Sequence, residues 1–312
     1  MRVAVIGAGG VGGFLGSLLA RAGHDVACLA RGAHLEAIQA HGLSLRSTQF
    51  GDFTVQVRAS AAASELGTND LVLVAVKMYD FGPAAEAARE VLDEAGMAMT
   101  IQNGLEAPGE LARVVGPERV LTGTASIEAA IIEPGVVGHL VPMHSVTVSE
   151  TDAPVSHRVQ ALVDRLQAAG VNAAAVADGN RALWQKACGL IPFATITAAG
   201  DCTLGEFASQ PPARELAHTL VDEAVALAAA CGYDVRQAAD GWRGFIDNGP
   251  KTAPGFTSSL NRDFRAGKRT ELEWLTGKFV RLGQEKRVPT PAHRALYGLL
   301  KLREAKASTP PQ

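Results

Sequence analysis

The chain has 312 residues, of which 20% are charged, and a net charge of −3, which excludes a basic field for nucleic acid or an anionic membrane surface. That length suffices for two domains with separate cores, and no apolar run of about 18 residues predicts a membrane span. Four scattered cysteines (Cys28, Cys188, Cys202 and Cys231) form no Cys-x-x-Cys or His/Cys cluster, so reduced thiols of a cytoplasmic protein without a metal site are expected.

Residues 1–6 form an apolar strand that runs into Gly7-Ala8-Gly9-Gly10-Val11-Gly12, the spacing G-x-G-x-x-G, before a helical stretch from Phe14 to Ala20. The glycines interrupt the apolar run after six residues, so no secretory leader is expected. Strand, glycine turn and helix in this order predict a dinucleotide-binding βαβ unit. Gly7 would make the tight turn, Gly9 would let backbone approach a pyrophosphate, and Gly12 would let the helix pack close to the strand. The diphosphate would lie at the helix N-terminus.

Gly23-His24-Asp25 is expected to close that helix, Val26-Ala27-Cys28-Leu29-Ala30 reads as the second strand, and Arg31 stands at its tip. An enzyme that uses NAD places a carboxylate there for the ribose 2′-hydroxyl, whereas arginine offers a fork of donors to a 2′-phosphate. No acid lies between Leu29 and Leu35, so NADPH is the expected cofactor.

Val55-Gln56-Val57 reads as a third strand, 71–76 as a strand covered on both faces, 84–92 as a helix and 97–101 as the next strand. Lys77 follows one strand and Gln102-Asn103-Gly104 the other, and strand ends face the nucleotide in open α/β sheets. Strands near 120–122, 136–141, 146–149 and 171–176 complete the half. From Asn180 the pattern turns helical, with segments at 181–189, 213–231, 235–246 and 271–285. The fold class is therefore α/β, an N-terminal Rossmann-type doubly wound sheet followed by a mainly α-helical domain. Asp178-Gly179-Asn180 reads as a capping turn and boundary, giving domains at 1–178 and 179–306 and a frayed tail at 307–312.

These residues resemble the ketopantoate reductase (2-dehydropantoate 2-reductase) family over nearly the whole chain. The glycine loop, Arg31-Gly32, Val76-Lys77 and Gln102-Asn103-Gly104 match its cofactor half in order. Leu183-Trp184-Gln185-Lys186 matches its catalytic-lysine motif, Ser258-Ser259-Leu260-Asn261-Arg262-Asp263 its Ser-Ser-Met-Leu-Gln-Asp segment, and Thr270-Glu271 follows at the family's spacing. The resemblance implies that Lys186 is the general acid for hydride transfer to a ketone, working with Glu271, which pairs with the lysine or the cofactor ribose. It implies Gly7 to Gly12, Arg31, Lys77, Asn103, Ala129 and Glu271 as cofactor contacts. Asn103 and Ser259 would hold the substrate, Ser259 through its carboxylate. A turn role for Asn103 and a helix N-cap role for Ser259 are the bland readings.

Three positions depart from the family. Asparagines that follow the lysine by four and eight residues are Leu190 and Ala194 here, and a third, three residues before the second serine, is Phe256. Pro192 is expected to bend the helix that carries two of them. An apolar lining would favour a less polar 2-oxo acid than ketopantoate. The expected function is NADPH-dependent reduction of a small-molecule 2-oxo acid to a 2-hydroxy acid, which implies pantothenate biosynthesis. A D-2-hydroxyacid dehydrogenase acting on branched or aromatic 2-oxo acids is the alternative, and a non-catalytic NADPH-binding regulator is the reading from another class. No nucleic-acid or membrane partner is expected, and a homodimer is allowed.

Overall fold

The computed structural model describes residues 1–307; residues 308–312 of the expected tail lie outside the described residues. The chain divides into two compact units, Met1–Ala182 and Leu183 onward.

The first unit contains β1 (Arg2–Ile6), α1 (Gly10–Arg21), β2 (Asp25–Leu29), α2 (Gly32–His41), β3 (Leu43–Ser47), β4 (Phe53–Val55) and β5 (Arg58–Ser60). It continues with β6 (Asn69–Val74), α3 (Phe81–Val91), β7 (Leu92–Thr100), α4 (Ala107–Val115), β8 (Val120–Glu133), β9 (Val136–Glu150), α5 (His157–Ala168) and β10 (Asn172–Ala175). The strands make one parallel-dominated sheet in the order β4-β3-β9-β8-β7-β6-β1-β2-β5, with β10 beside β9. Among the described residues only the β3–β4 and β8–β9 pairs are antiparallel. Central β1 is covered on both faces, and Val3, Ala4, Val5 and Ile6 are fully buried, as its uninterrupted apolar sequence requires.

Strand order reverses at β1. The chain runs outward to β2 and later returns to β6 on β1's other side. The crevice at such a switch point opens beyond the C-terminal ends of these strands, here after Ile6 and Val74.

Three expectations are corrected in this half. The strand beside β2 is Arg58–Ser60, and Val55 instead ends β4. After β2 the chain leaves for the opposite edge, where β3 pairs with β9 before the return to β5. Helix α1 also stops at Arg21, so Gly23 and His24 form a turn and Asp25 already starts β2. The segments expected as separate strands over 120–149 merge into one long β8–β9 hairpin.

The division falls within α6 (Gly179–Gly200), which Asp178 caps by accepting from the Arg181 amide at 2.9 Å. Then come α7 (Leu204–Ala208), α8 (Pro211–Ala230), α9 (Arg236–Thr252), α10 (Ser259–Arg265), α11 (Thr276–Lys286) and α12 (Pro291–Ala307). Helix α6 carries Pro192 inside it and runs on to Gly200. Proline removes one amide donor, but fully buried Ile191 and nearly buried Phe193 and Ala194 hold the segment in the core. Glu271 precedes α11 rather than starting it, and Ala307 ends α12 instead of opening a tail. No helix among the described residues is long and apolar enough to cross a membrane.

Candidate active site

In the first unit a cavity of about 220 Å³ opens beyond β1 and is lined by Gly7, Ala8, Gly9, Arg31, His34 and Asp80 among others. Gly7 has φ +99°, a left-handed conformation that disfavours any side chain. A Cβ on Gly12 would lie 2.2 Å from the Gly7 carbonyl oxygen, so helix and strand meet as closely as expected. At Gly9 a Cβ would meet nothing within 4 Å, because the position faces the open groove. No side chain caps α1 at Gly9, which leaves the first amides of the helix available to an anion. These features fit a dinucleotide diphosphate.

Gly10 has a reason that the motif does not give. A Cβ there would lie 2.1 Å from the Ala129 carbonyl oxygen, so the β8–β9 hairpin packs flush against the glycine loop. This is where the structure puts Ala129. The exposed side chain of Ile131 from the same strand lines the groove.

The peptide of Ala8 is held from both sides. The amides of Gly7 and Ala8 donate to the Leu29 carbonyl at 3.2 and 3.3 Å. The Gly135 amide, in the hairpin turn, donates to His34 Nδ1 at 2.9 Å. That fixes the neutral ring with its proton on Nε2, which donates to the Ala8 carbonyl at 2.8 Å. Burial lowers the His34 pKa, with the Ala8 bond opposing, so the neutral form is favoured. His34 therefore ties loop, helix and hairpin together.

Arg31 occupies the N-cap position of α2, exposed at the groove. Asp80 is the one carboxylate among the described residues that line it. Gln102 is buried and donates to the carbonyls of Val74 and Val76 at 2.7 and 3.1 Å, bracing the end of β6. Lys77 and the neighbouring Asn103 are half-buried on either side of this brace. His34, which the sequence did not single out, and Gln102, which it read only as part of a strand-end motif, brace the backbone around this groove.

In the second unit Lys186 is half-buried on α6. Burial pushes its ammonium pKa down to about 8, and the nearby charge of Glu271 partly opposes that. Glu271 is itself 5% exposed. The structure thus brings these two together. Helix α10 is capped by Ser258, whose hydroxyl accepts from the Asn261 amide at 3.1 Å, so the cap reading for Ser259 is wrong. Ser259 is the first helical residue and half-buried. Leu190 and Phe256 are half-buried and Ala194 nearly fully buried. Cysteine chemistry is not in prospect, since burial raises Cys28 and Cys188 to about 12.

A Rossmann-type unit with a glycine-lined groove and a helical unit with a lysine of lowered pKa define a dinucleotide-dependent oxidoreductase. The chain belongs to the ketopantoate reductase PanE/ApbA family: the family's N-terminal region matches residues 3–153 and its C-terminal region residues 178–304. It is accordingly an oxidoreductase acting on a CH–OH group. It is 30% identical to 2-dehydropantoate 2-reductase of Mesorhizobium japonicum, covering 96% of this chain and 97% of the relative. The crystal structure of a PanE/ApbA family ketopantoate reductase from Ralstonia eutropha superposes with a TM-score of 0.88 at 31% identity, covering 99% of this chain and 100% of that one. D-mandelate dehydrogenase, solved with NADH and anilino(oxo)acetate, shares the fold at a TM-score of 0.88 and 21% identity, covering 99% of this chain and 100% of that one.

Proposed function

We propose that this chain uses NADPH to reduce a 2-oxo acid to the 2-hydroxy acid, with 2-dehydropantoate, for which its relatives are named, as the reference substrate. The observation that carries the reading is Lys186, half-buried, lowered to about 8 and facing the charge of Glu271. When bound, the reduced nicotinamide supplies a hydride to the carbonyl carbon.

As that carbon is reduced, its oxygen gains an electron pair and needs a proton. Lys186 Nζ gives that proton, becomes a neutral amine and recovers a proton from water. An acid with a pKa of about 8 is still mostly protonated near neutrality yet gives its proton more readily than an ordinary lysine. Glu271 keeps the ammonium form from being lost altogether to desolvation. Ser259, released from capping duty, holds the substrate carboxylate, and Asn103 serves the nicotinamide end of the cofactor. Arg31 takes the 2′-phosphate, while Lys77 and the amides after Gly9 serve the rest of the dinucleotide. A non-catalytic NADPH-binding regulator would have no use for a lysine in this state.

Steady-state rates with NADPH and with NADH across a panel of 2-oxo acids test the reading. Turnover with NADPH well above that with NADH is expected. Equal use of both nucleotides would remove the 2′-phosphate role of Arg31, and no turnover of any 2-oxo acid would remove the function.

A further inference from the structure

We propose that the substrate side chain lies against an aromatic wall beside Lys186, which selects 2-oxo acids bearing aromatic side chains over those bearing a hydroxyl. The proposal rests on Lys186 being the proton donor in the reading above.

Steps of four and three residues along an α-helix keep to one stripe, so Lys186, Leu190, Phe193 and Thr197 share a face of α6. The flank of that stripe, where Gly189 lies, is covered by an indole. A Cβ on Gly189 would lie 1.9 Å from Trp242 Cγ, so the ring of Trp242 rests directly on the helix backbone one turn past Lys186. One turn further, Phe193 is 2% exposed and stacks on Phe256, with centroids 5.5 Å apart and planes 17° from parallel. Phe245 closes the group edge-on, 6.1 Å from Phe193, 6.0 Å from Phe256 and 5.8 Å from Trp242.

Phe193 is buried, as is Phe207, whose ring lies 6.2 Å from it. Trp242, Phe245 and Phe256 each keep part of their surface open. Their open ring surface is apolar area that the side chain of a ligand can cover. The polar groups along the stripe are already committed. Thr197 Oγ1 donates to the Phe193 carbonyl at 2.7 Å and pairs with Ser258 Oγ at 2.8 Å. Arg243, next to Trp242, is bound to Asp222 and, at 2.7 Å, to Asp240. A flat apolar side chain therefore finds stacking and edge contacts here. A substrate hydroxyl would exchange water for carbon.

The test is kcat/KM with NADPH for phenylpyruvate, 2-oxoisovalerate and 2-dehydropantoate. Phenylpyruvate should exceed 2-dehydropantoate by about tenfold or more, the discrimination that an unpaired buried hydroxyl commonly brings. In Phe256→Asn combined with Leu190→Asn the ratio should move towards 2-dehydropantoate, mainly through KM. Phe256→Leu, which keeps apolar bulk and so guards against a folding defect, should lower phenylpyruvate more than 2-oxoisovalerate. A wild type that prefers 2-dehydropantoate overturns the proposal and leaves the 2-oxo acid reductase intact. So does a uniform loss across all three acids in both variants, which would make the rings structural. Failure to reduce any 2-oxo acid overturns both readings.

Discussion

The two units place their working groups by opposite means. In the first, the groups that face the groove are largely backbone, and the residues around them serve to hold that backbone: Leu29 and His34 on the Ala8 peptide, Ala129 against Gly10, Gln102 on the end of β6. In the second, the groups are side chains projecting from an already rigid helix, and what matters is the environment of each: burial and Glu271 for Lys186, rings for the stripe beyond it. Changes in the first unit should therefore act on nucleotide affinity. Changes in the second should act on turnover, its pH dependence and substrate choice. Each prediction below breaks or sharpens that division.

The largest effect is expected at Lys186. Lys186→Ala should lower kcat by about 10²–10⁴ while NADPH still binds with near wild-type affinity, because proton donation operates only in the transition state. Titrating the quenching of NADPH fluorescence separates the two quantities. Near-normal turnover in a folded variant would move the donor elsewhere, with Lys77 the next residue to test.

The pH dependence follows from the same group. Reduction needs the ammonium form, so its kcat should fall as pH rises through about 8, by about tenfold per unit beyond it. Oxidation of the 2-hydroxy acid needs the neutral amine and should rise through the same pH. The charge of Glu271 raises the Lys186 pKa, so Glu271→Gln should shift both profiles to lower pH. Flat profiles in both directions between about pH 7 and 9 would be incompatible with a lysine donor of this pKa.

Arg31 tests the other half. Arg31→Ala should raise KM for NADPH by about 10–150-fold, the worth of a charged bidentate contact, and leave KM for NADH nearly unchanged. An equal rise for both nucleotides would mean that Arg31 shapes the groove instead of reading the phosphate.

How much of this was legible in the sequence depends on the range of the contacts involved. The glycine loop, Arg31, Asp178 and the lysine motif are local patterns, and each sits on the element read for it. The third strand was misread because Arg58–Ser60, which pairs with β2, is short, polar and at the sheet edge, while the more apolar Val55 ends a strand of a hairpin at the far edge. Nothing within a few residues distinguishes the two. That α6 runs on past Pro192 was not legible for a related reason, since the local cost of the proline is set against burial by partners distant in sequence. The aromatic wall depends on Trp242 meeting Gly189 and on Phe256 meeting Phe193, contacts between separate helices and loops that no periodicity reports. At Ser258-Ser259 the sequence could not say which hydroxyl caps the helix, and one residue of register decides which remains for substrate.

The smallest predicted effect is the sharpest test of the backbone argument. His34 lies 101 residues from Gly135 in sequence, yet its ring accepts from that amide and donates to the Ala8 carbonyl. The second bond directs a carbonyl dipole to His34 Nε2, and a carbonyl turned instead towards a diphosphate would repel it. Losing one such bond costs about 1 kcal/mol, so His34→Ala should weaken nucleotide binding by about three- to tenfold. NADPH and NADH should suffer by the same factor, because the damage is to the loop they share, and kcat at saturating nucleotide should hold. His34→Gln can still donate to Ala8 and should recover most of the affinity. A loss confined to NADPH would instead put His34 in direct contact with the 2′-phosphate, beside Arg31. The groove would then read its cofactor through two side chains and not through one side chain and a braced backbone.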